Sequence, residues 1–228
     1  MNDDVADPVA IVGDVHGCVD RLDRALTILP GIAATIIFLG DYVDRGASSM
    51  QVLDSLCEAR GTLGRRLRLL QGNHDAALLD FVASNRPFSS LADGGLATVR
   101  SYLPKAATSI ARPIEYFRQS FPVRHRKLLE GLETHLETES LLASHAGFNP
   151  DLPADRSPAS LVRGSYPDLF DPSVRGISKL AVFGHYVQSG RSPFIAPDRI
   201  CLDTGCGTLP DGPLTALILP EYRFLQFR

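Results

Sequence analysis

Short apolar runs, each closed by a glycine and then by polar residues, punctuate the first third of the chain. Val9-Ala10-Ile11-Val12 leads into Gly13-Asp14, Thr35-Ile36-Ile37-Phe38-Leu39 into Gly40-Asp41, and Leu67-Arg68-Leu69-Leu70, after Gln71, into Gly72-Asn73. Runs this short, rich in β-branched and aromatic residues and bounded by glycine, predict buried strands rather than helices. Between them the period changes. Val19, Leu22, Ala25, Leu26 and Leu29 recur at helical spacing and stop at Pro30-Gly31, and Met50, Val52, Leu53, Leu56 and Cys57 repeat the pattern. The three glycines lie 27 residues (13 to 40) and 32 residues (40 to 72) apart, which suits successive βαβ units and a parallel sheet. In such a sheet the loops after the strands share one edge, where open α/β folds place their ligands.

A third helix is predicted at 76–83. From 84 to 122 the apolar runs give way to short segments, 96–103 and 114–119, separated by Pro87, Gly94-Gly95, Pro104 and Pro113; this predicts a mostly helical insertion, either over the sheet edge or packed plainly against it. A further helix is predicted at 122–131, and strand patterns return at 134–138, 141–144, 180–183, 200–202, 214–219 and 222–227, enough for a second sheet. The Pro-, Asp- and Ser-rich stretch 149–172 predicts a long loop of the kind that often carries function. His125 and His135 fall outside these patterns and read as surface or structural histidines.

Composition narrows the class. With 228 residues, 44% hydrophobic and 21% charged, the chain suits one α/β domain spanning 1–228 with a sizeable core. The formal charge of −3 gives no basic stripe for neutralising nucleic-acid phosphates, so no nucleic-acid partner is predicted. No apolar run approaches the ~20 residues of a spanning helix, and the start, Met1-Asn2-Asp3-Asp4, lacks the basic and apolar regions of an export signal. A cytoplasmic protein without a membrane partner is the expectation, with Cys18, Cys57, Cys201 and Cys206, none in C-x-x-C spacing, as reduced thiols.

The polar residues after the runs carry the chemistry. Gly13-Asp14-Val15-His16-Gly17, Gly40-Asp41-Tyr42-Val43-Asp44-Arg45-Gly46 and Gly72-Asn73-His74-Asp75 gather carboxylates, imidazoles, an amide and a guanidinium on one edge, the donor types a divalent-metal cluster needs. Taken alone, Asp41 and Asp44 would serve equally as turn and capping residues. Together with Ser144-His145-Ala146-Gly147 and Phe183-Gly184-His185, the five segments resemble, in order, the motifs of the calcineurin-like metallophosphoesterase superfamily. Within it they are similar to the phosphoprotein phosphatase family, bacterial and phage branch.

The resemblance implies a four-layer α-β-β-α sandwich with a dinuclear metal site. It assigns Asp14 and His16 to one divalent ion, Asp41 to both, and Asn73, His145 and His185 to the other, with manganese favoured and iron or zinc accepted. Two such ions activate a bridging hydroxide for direct attack on phosphorus; no covalent phosphoenzyme is implied, and the chain has no C-x5-R loop for one. His74 becomes the general acid, oriented by Asp44, while Arg45 and Arg163 bind the phosphate oxygens. Arg163 is placed only by its position between His145 and His185.

The resemblance implies a phosphoprotein or a small phosphoester as substrate. Asp44 favours a phosphoserine/phosphothreonine phosphatase, with phosphotyrosine as an extension. The competing reading is a symmetrical bis(5′-nucleosyl)-tetraphosphatase, that is, a diadenosine tetraphosphate hydrolase. It shares the metal motifs, and the tail Asp203-Thr204-Gly205-Cys206-Gly207 is similar to its own; that family typically replaces the Asp44 equivalent and follows the Gly-Cys with tryptophan, whereas this chain keeps Asp44 and has no tryptophan. A non-catalytic scaffold and a nuclease are weaker alternatives.

Overall fold

A computed structural model describes residues 7–84, 86–104 and 112–228. The three predicted strands form as β1 (Val9–Val12), β2 (Thr35–Phe38) and β3 (Leu67–Leu69), connected through the helices α1 (Val19–Ile28) and α2 (Ser49–Leu63) and followed by α3 (Asn73–Ala83). They pair in parallel, Val9 beside Thr35 and Ile36 beside Leu67. Parallel neighbours require crossovers of helix length, which α1 and α2 supply.

In the predicted insertion, α4 (Leu96–Ser101) and α5 (Pro113–Ser120) form; residues 85 and 105–111 of that stretch lie outside the described residues. A bulged turn at Leu91–Gly95 precedes α4, because Asp93 (φ −100°, ψ 54°) and Gly94 (φ 90°) leave helical geometry. After α6 (Val123–Glu130) come β4 (His135–Glu137), β5 (Leu141–Ser144), the single-turn helix α7 (Pro158–Leu161), β6 (Leu180–Phe183), β7 (Phe194–Ile195), β8 (Arg199–Cys201), β9 (Leu214–Leu219) and β10 (Arg223–Phe227). Two residues of strand, as in β7, are too few to leave a periodic signal in the sequence.

The strands make two five-stranded mixed sheets, ordered β10-β9-β1-β2-β3 and β4-β5-β6-β8-β7. The last two strands therefore return to the first sheet, with β9 antiparallel to β1. Alternation along each strand builds the layers. Ile11, Ile37 and Leu217 of the first sheet meet Val182 and Ile200 of the second in a core between the sheets, while Val12 and Phe38 face outward against Leu22, Leu53 and Phe81 of α1, α2 and α3. Leu142 and Phe183 on the outer face of the second sheet pack with Phe148 and Leu169, the last from a 3-10 turn at Pro167–Phe170. The result is the predicted sandwich with a thin fourth layer.

That thin layer is fastened by Arg199, which is 2% exposed. Its guanidinium donates to the carbonyls of Leu169 (2.6 Å), Asp171 (2.8 Å) and Val174 (3.0 Å). Methionine would fill the space but take the donor from the Leu169 and Val174 carbonyls, while Asp171 O keeps the Val174 amide at 3.1 Å. Arg199→Met is expected to cost about 2–4 kcal/mol, the scale of two buried carbonyls left without donors, read as a lower urea midpoint; an unchanged midpoint would show that the loop holds itself.

His125 is the structural histidine of the pair set aside in the sequence: fully buried, it lies 2.8 Å from the Tyr102 hydroxyl and 2.5 Å from Asp54, tying α6 to α2. The four cysteines are free thiols. No helix among the described residues is long and apolar enough to cross a membrane.

Candidate active site

The parallel strands of both sheets end on one rim. β1, β2 and β3 deliver Asp14 with His16, Asp41 with Asp44 and Arg45, and Asn73 with His74; β5 and β6 deliver His145 and His185. Glycines let these loops interlock. A Cβ on Gly72 would lie 2.0 Å from Asp41 Oδ1, and one on Gly184 1.9 Å from Asp14 Oδ1, so each glycine makes room for a carboxylate of another motif. Non-glycine residues are strained here too: His16, Asp41, Asp44, Arg45 and His185 have φ between 43° and 72°. Left-handed backbone costs on the order of 1–3 kcal/mol per residue and collects at functional sites.

Asp41 is the shared vertex. Its Oδ2 lies 3.5 Å from His16 Nε2 and 3.4 Å from His145 Nε2, and Asp14 Oδ2 stands 4.0 Å from His16 Nε2. Around Asn73 Oδ1 converge His145 Nε2 and His185 Nδ1, each at 2.9 Å, with 3.2 Å between the two nitrogens. A cation about 2.1 Å from its ligands in tetrahedral or octahedral geometry separates neighbouring donors by about 3.0–3.4 Å. The cluster of Asp41, Asn73, His145 and His185 matches that spacing, so the residues present fit a divalent ion. His16 and His145 place their other ring nitrogen, Nδ1, 2.9 Å from the Val43 carbonyl and 3.2 Å from the Leu39 carbonyl; an N–H donated there leaves each Nε2 lone pair for a metal.

His74 also comes within reach of His16 and Asp41, but its surroundings suit a proton better than a cation. Nδ1 is 2.7 Å from Asp44 Oδ2, and Arg45 Nη2 sits 3.3 Å from Nε2, where its charge would repel an ion. Asp44, fully buried, is held by residues from the insertion: Ser90 Oγ donates to Oδ2 and Thr98 Oγ1 to Oδ1, both at 2.6 Å. Gly94 O accepts from Arg45 N at 3.1 Å, and Asp93 Oδ2 stands 3.5 Å from both Arg45 Nη2 and His74 Nε2. Arg45 Nη1 further donates to Thr208 Oγ1 at 2.7 Å.

Four positions differ from, or add to, the sequence reading. Arg163 is exposed and pairs with Asp80 of α3 at 3.0 Å, so the structure does not bring it to the other nine candidates. Asp75 accepts from the amides of Asp41 (2.7 Å), Tyr42 (3.0 Å) and Gly72 (3.0 Å) and so clamps the Asp41 loop, a role that its place in the third motif could have suggested. Ser90 and Thr98 carried no signal, because they act across 46 and 54 residues.

Burial and mutual charge set the protonation. Burial lifts the Asp14 carboxyl well above the usual range, and the neighbouring Asp203 adds to it. For Asp41 burial acts the same way, yet His145 and His16 outweigh it and hold the group well below its ordinary value. His145 is lowered by burial but lifted by Asp41 to about 9; a metal would displace that proton. His16 and His185 are drawn down, chiefly by burial, to about 3 and about 4, which keeps both imidazoles neutral at pH 7 and able to ligate. At His74 burial lowers the pKa while Asp44 and Asp41 raise it, and the net shift is upward.

Two packed mixed sheets, with paired donor clusters and an acid-backed histidine on their common rim, define a metallophosphoesterase, a hydrolase of phosphoester bonds that works with two metal ions. The chain belongs to the calcineurin-like phosphoesterase family, whose sequence profile matches residues 7–189. It is 27% identical to the symmetrical bis(5′-nucleosyl)-tetraphosphatase of Janthinobacterium sp. (strain Marseille), over 95% of this chain and 94% of that protein. It is 26% identical to the asymmetrical bis(5′-nucleosyl)-tetraphosphatase PrpE of Oceanobacillus iheyensis, over 96% and 91%. The crystal structure of a candidate diadenosine tetraphosphatase superposes with a TM-score of 0.66 at 24% identity, covering 98% of this chain and 94% of that one, which speaks for the fold.

Proposed function

We propose that the chain, acting as one catalytic unit, hydrolyses bis(5′-nucleosyl) tetraphosphates through a dinuclear site. Near full-length likeness to the Janthinobacterium tetraphosphatase carries this reading, and it reverses the order of preference that Asp44 and the lack of tryptophan suggested. Asp14, His16 and Asp41 would hold one divalent cation and Asp41, Asn73, His145 and His185 the other, with Mn2+ suited to this mixed oxygen and imidazole set. Bound there, the two ions would supply Lewis acidity toward phosphoryl oxygens and lower the pKa of water to give a nucleophile at neutral pH. Arg45 would bind a non-bridging oxygen with its fork, leaving His74 Nε2 to hand a proton to the leaving oxygen while Asp44 holds Nδ1–H. Arg163 would reach the substrate only by giving up Asp80.

The test is product analysis with metal-stripped protein, with and without added Mn2+, on diadenosine tetraphosphate beside a phosphoserine peptide. Two molecules of ADP identify symmetrical cleavage, and AMP with ATP asymmetrical cleavage. Turnover of the peptide alone would overturn the proposal.

A second reading, phosphomonoester hydrolysis, is favoured by the fully built Asp44–His74 pair. An alkoxide leaving group is strongly basic and needs a proton in the transition state, whereas a nucleoside diphosphate leaves readily without one.

Asp93 bears on both substrates. Its carboxylate, 71% exposed, lies where a substrate oxygen would approach Arg45 and His74. Asp93→Asn is expected to lower KM for a polyanionic substrate about two- to fivefold, the scale of an exposed ion pair, with kcat little changed and the difference fading in high salt. A KM that does not fall at low ionic strength would remove Asp93 from the substrate's path.

A further inference from the structure

Six residues account for the two proposed cations, yet the rim carries another buried carboxylate. Asp203 follows β8, the third parallel strand of the second sheet, and the pairing of Phe183 with Cys201 sets it level with His185, each two residues beyond its paired strand end. The same offset separates Val12, the last residue of β1, from Asp14. The loops are locked together at this height. Gln188 N, in the turn after His185, donates to Asp203 O at 2.8 Å, and a Cβ on Gly13 would lie 2.5 Å from the carbonyl of Leu202.

The side chain is 1% exposed. Gly205 N donates to Oδ1 at 3.0 Å, while Oδ2 is buried and has no hydrogen-bond partner among the described residues. A buried carboxylate oxygen without a partner is costly and calls for one. Two carboxylates near it, Asp14 and Asp41, interact with it unfavourably; of the two groups that attract it, Arg45 and His145, the first is committed to Thr208, His74 and Asp93 and the second to Asn73 and Asp41.

We propose that Asp203 is a further carboxylate of the metal centre, its Oδ2 taking as partner the cation held by Asp14 and His16. The inference rests on the dinuclear reading of the site. It makes Asp203 a metal-binding residue with opposite effects in two states: a liability in the metal-free chain, where it crowds Asp14, and a ligand when the ion is present.

Asparagine at 203 has the same shape and can still accept from Gly205 N. Calorimetric titration of Mn2+ into metal-stripped Asp203→Asn is expected to show about 10- to 100-fold weaker binding at one of two sites, with the other unaltered. In urea, the metal-free variant should be at least as stable as the parent chain, and Mn2+ should stabilise it less. An isotherm matching the parent's would overturn the proposal, as would a metal-free variant that is destabilised while still binding Mn2+ normally, the result of a purely structural role. Asp203→Ser, with no carboxylate and a smaller side chain, carries the same expectation and provides a second test if the asparagine variant does not fold. Failure of the parent chain to take up two Mn2+ would instead remove the dinuclear reading, and this inference with it, before any variant is compared.

Discussion

Asp41→Asn is expected to yield a folded protein that loses Mn2+ and hydrolyses diadenosine tetraphosphate about 10³-fold more slowly. The carboxylate stands between the two donor groups, 3.5 Å from His16 Nε2 and 3.4 Å from His145 Nε2, and is the one group common to both clusters. Asparagine keeps the shape and the Oδ1 acceptor that takes the His74 amide at 3.0 Å, so the change is in charge rather than in packing. Lewis-acid stabilisation of the transition state is worth several kcal/mol, which at ~1.4 kcal/mol per decade amounts to roughly three orders of magnitude. Atomic spectroscopy of the purified variant beside its turnover checks both parts. Two retained ions together with full activity would show that Asp41 is not the bridge.

His74→Asn should leave the metal content intact and slow hydrolysis to a degree set by the leaving group. His74 is backed by a buried carboxylate that three side chains contact, since His74 itself lies 2.7 Å from Asp44 and Ser90 and Thr98 each donate at 2.6 Å. A positioned acid contributes about 10²–10⁴-fold when the departing oxygen is strongly basic. For a serine phosphate the loss should fall in that range. For a dinucleoside tetraphosphate, whose departing phosphate oxygen is a weak base, the loss should be much smaller. Measuring one variant on both substrates therefore separates the two readings of the site: equal losses would deny His74 the acid role, and loss of metal would make it a ligand, as its closeness to His16 and Asp41 would permit.

The supports of this pair mark where sequence reading stopped. Asp44 and His74 stand out because each belongs to a short motif directly after an apolar strand, and strand, turn and motif are all local. Ser90 and Thr98 sit in a stretch without periodicity and look like ordinary loop and helix residues; only the fold of the insertion carries their hydroxyls to Asp44. Arg163 shows the converse. Its place between two histidines suggested a phosphate contact, but the loop directs its guanidinium to Asp80, a choice made by which helix lies alongside.

The alternation of apolar and polar residues and the glycines at strand ends determined by themselves the parallel β1-β2-β3 core, the shared rim and the seven candidates that follow its three strands, because each depends on a repeat or a turn a few residues long; His145 and His185 joined them only through the resemblance of the motif order to a family. Tertiary structure alone decided that β9 and β10 rejoin the first sheet, that Asp75 clamps the Asp41 loop, that the insertion grips Asp44, and that Asp203 comes level with His185 with one oxygen unpartnered. Those arrangements depend on strand register and on contacts between distant segments, and in a linear sequence neither leaves a period to read.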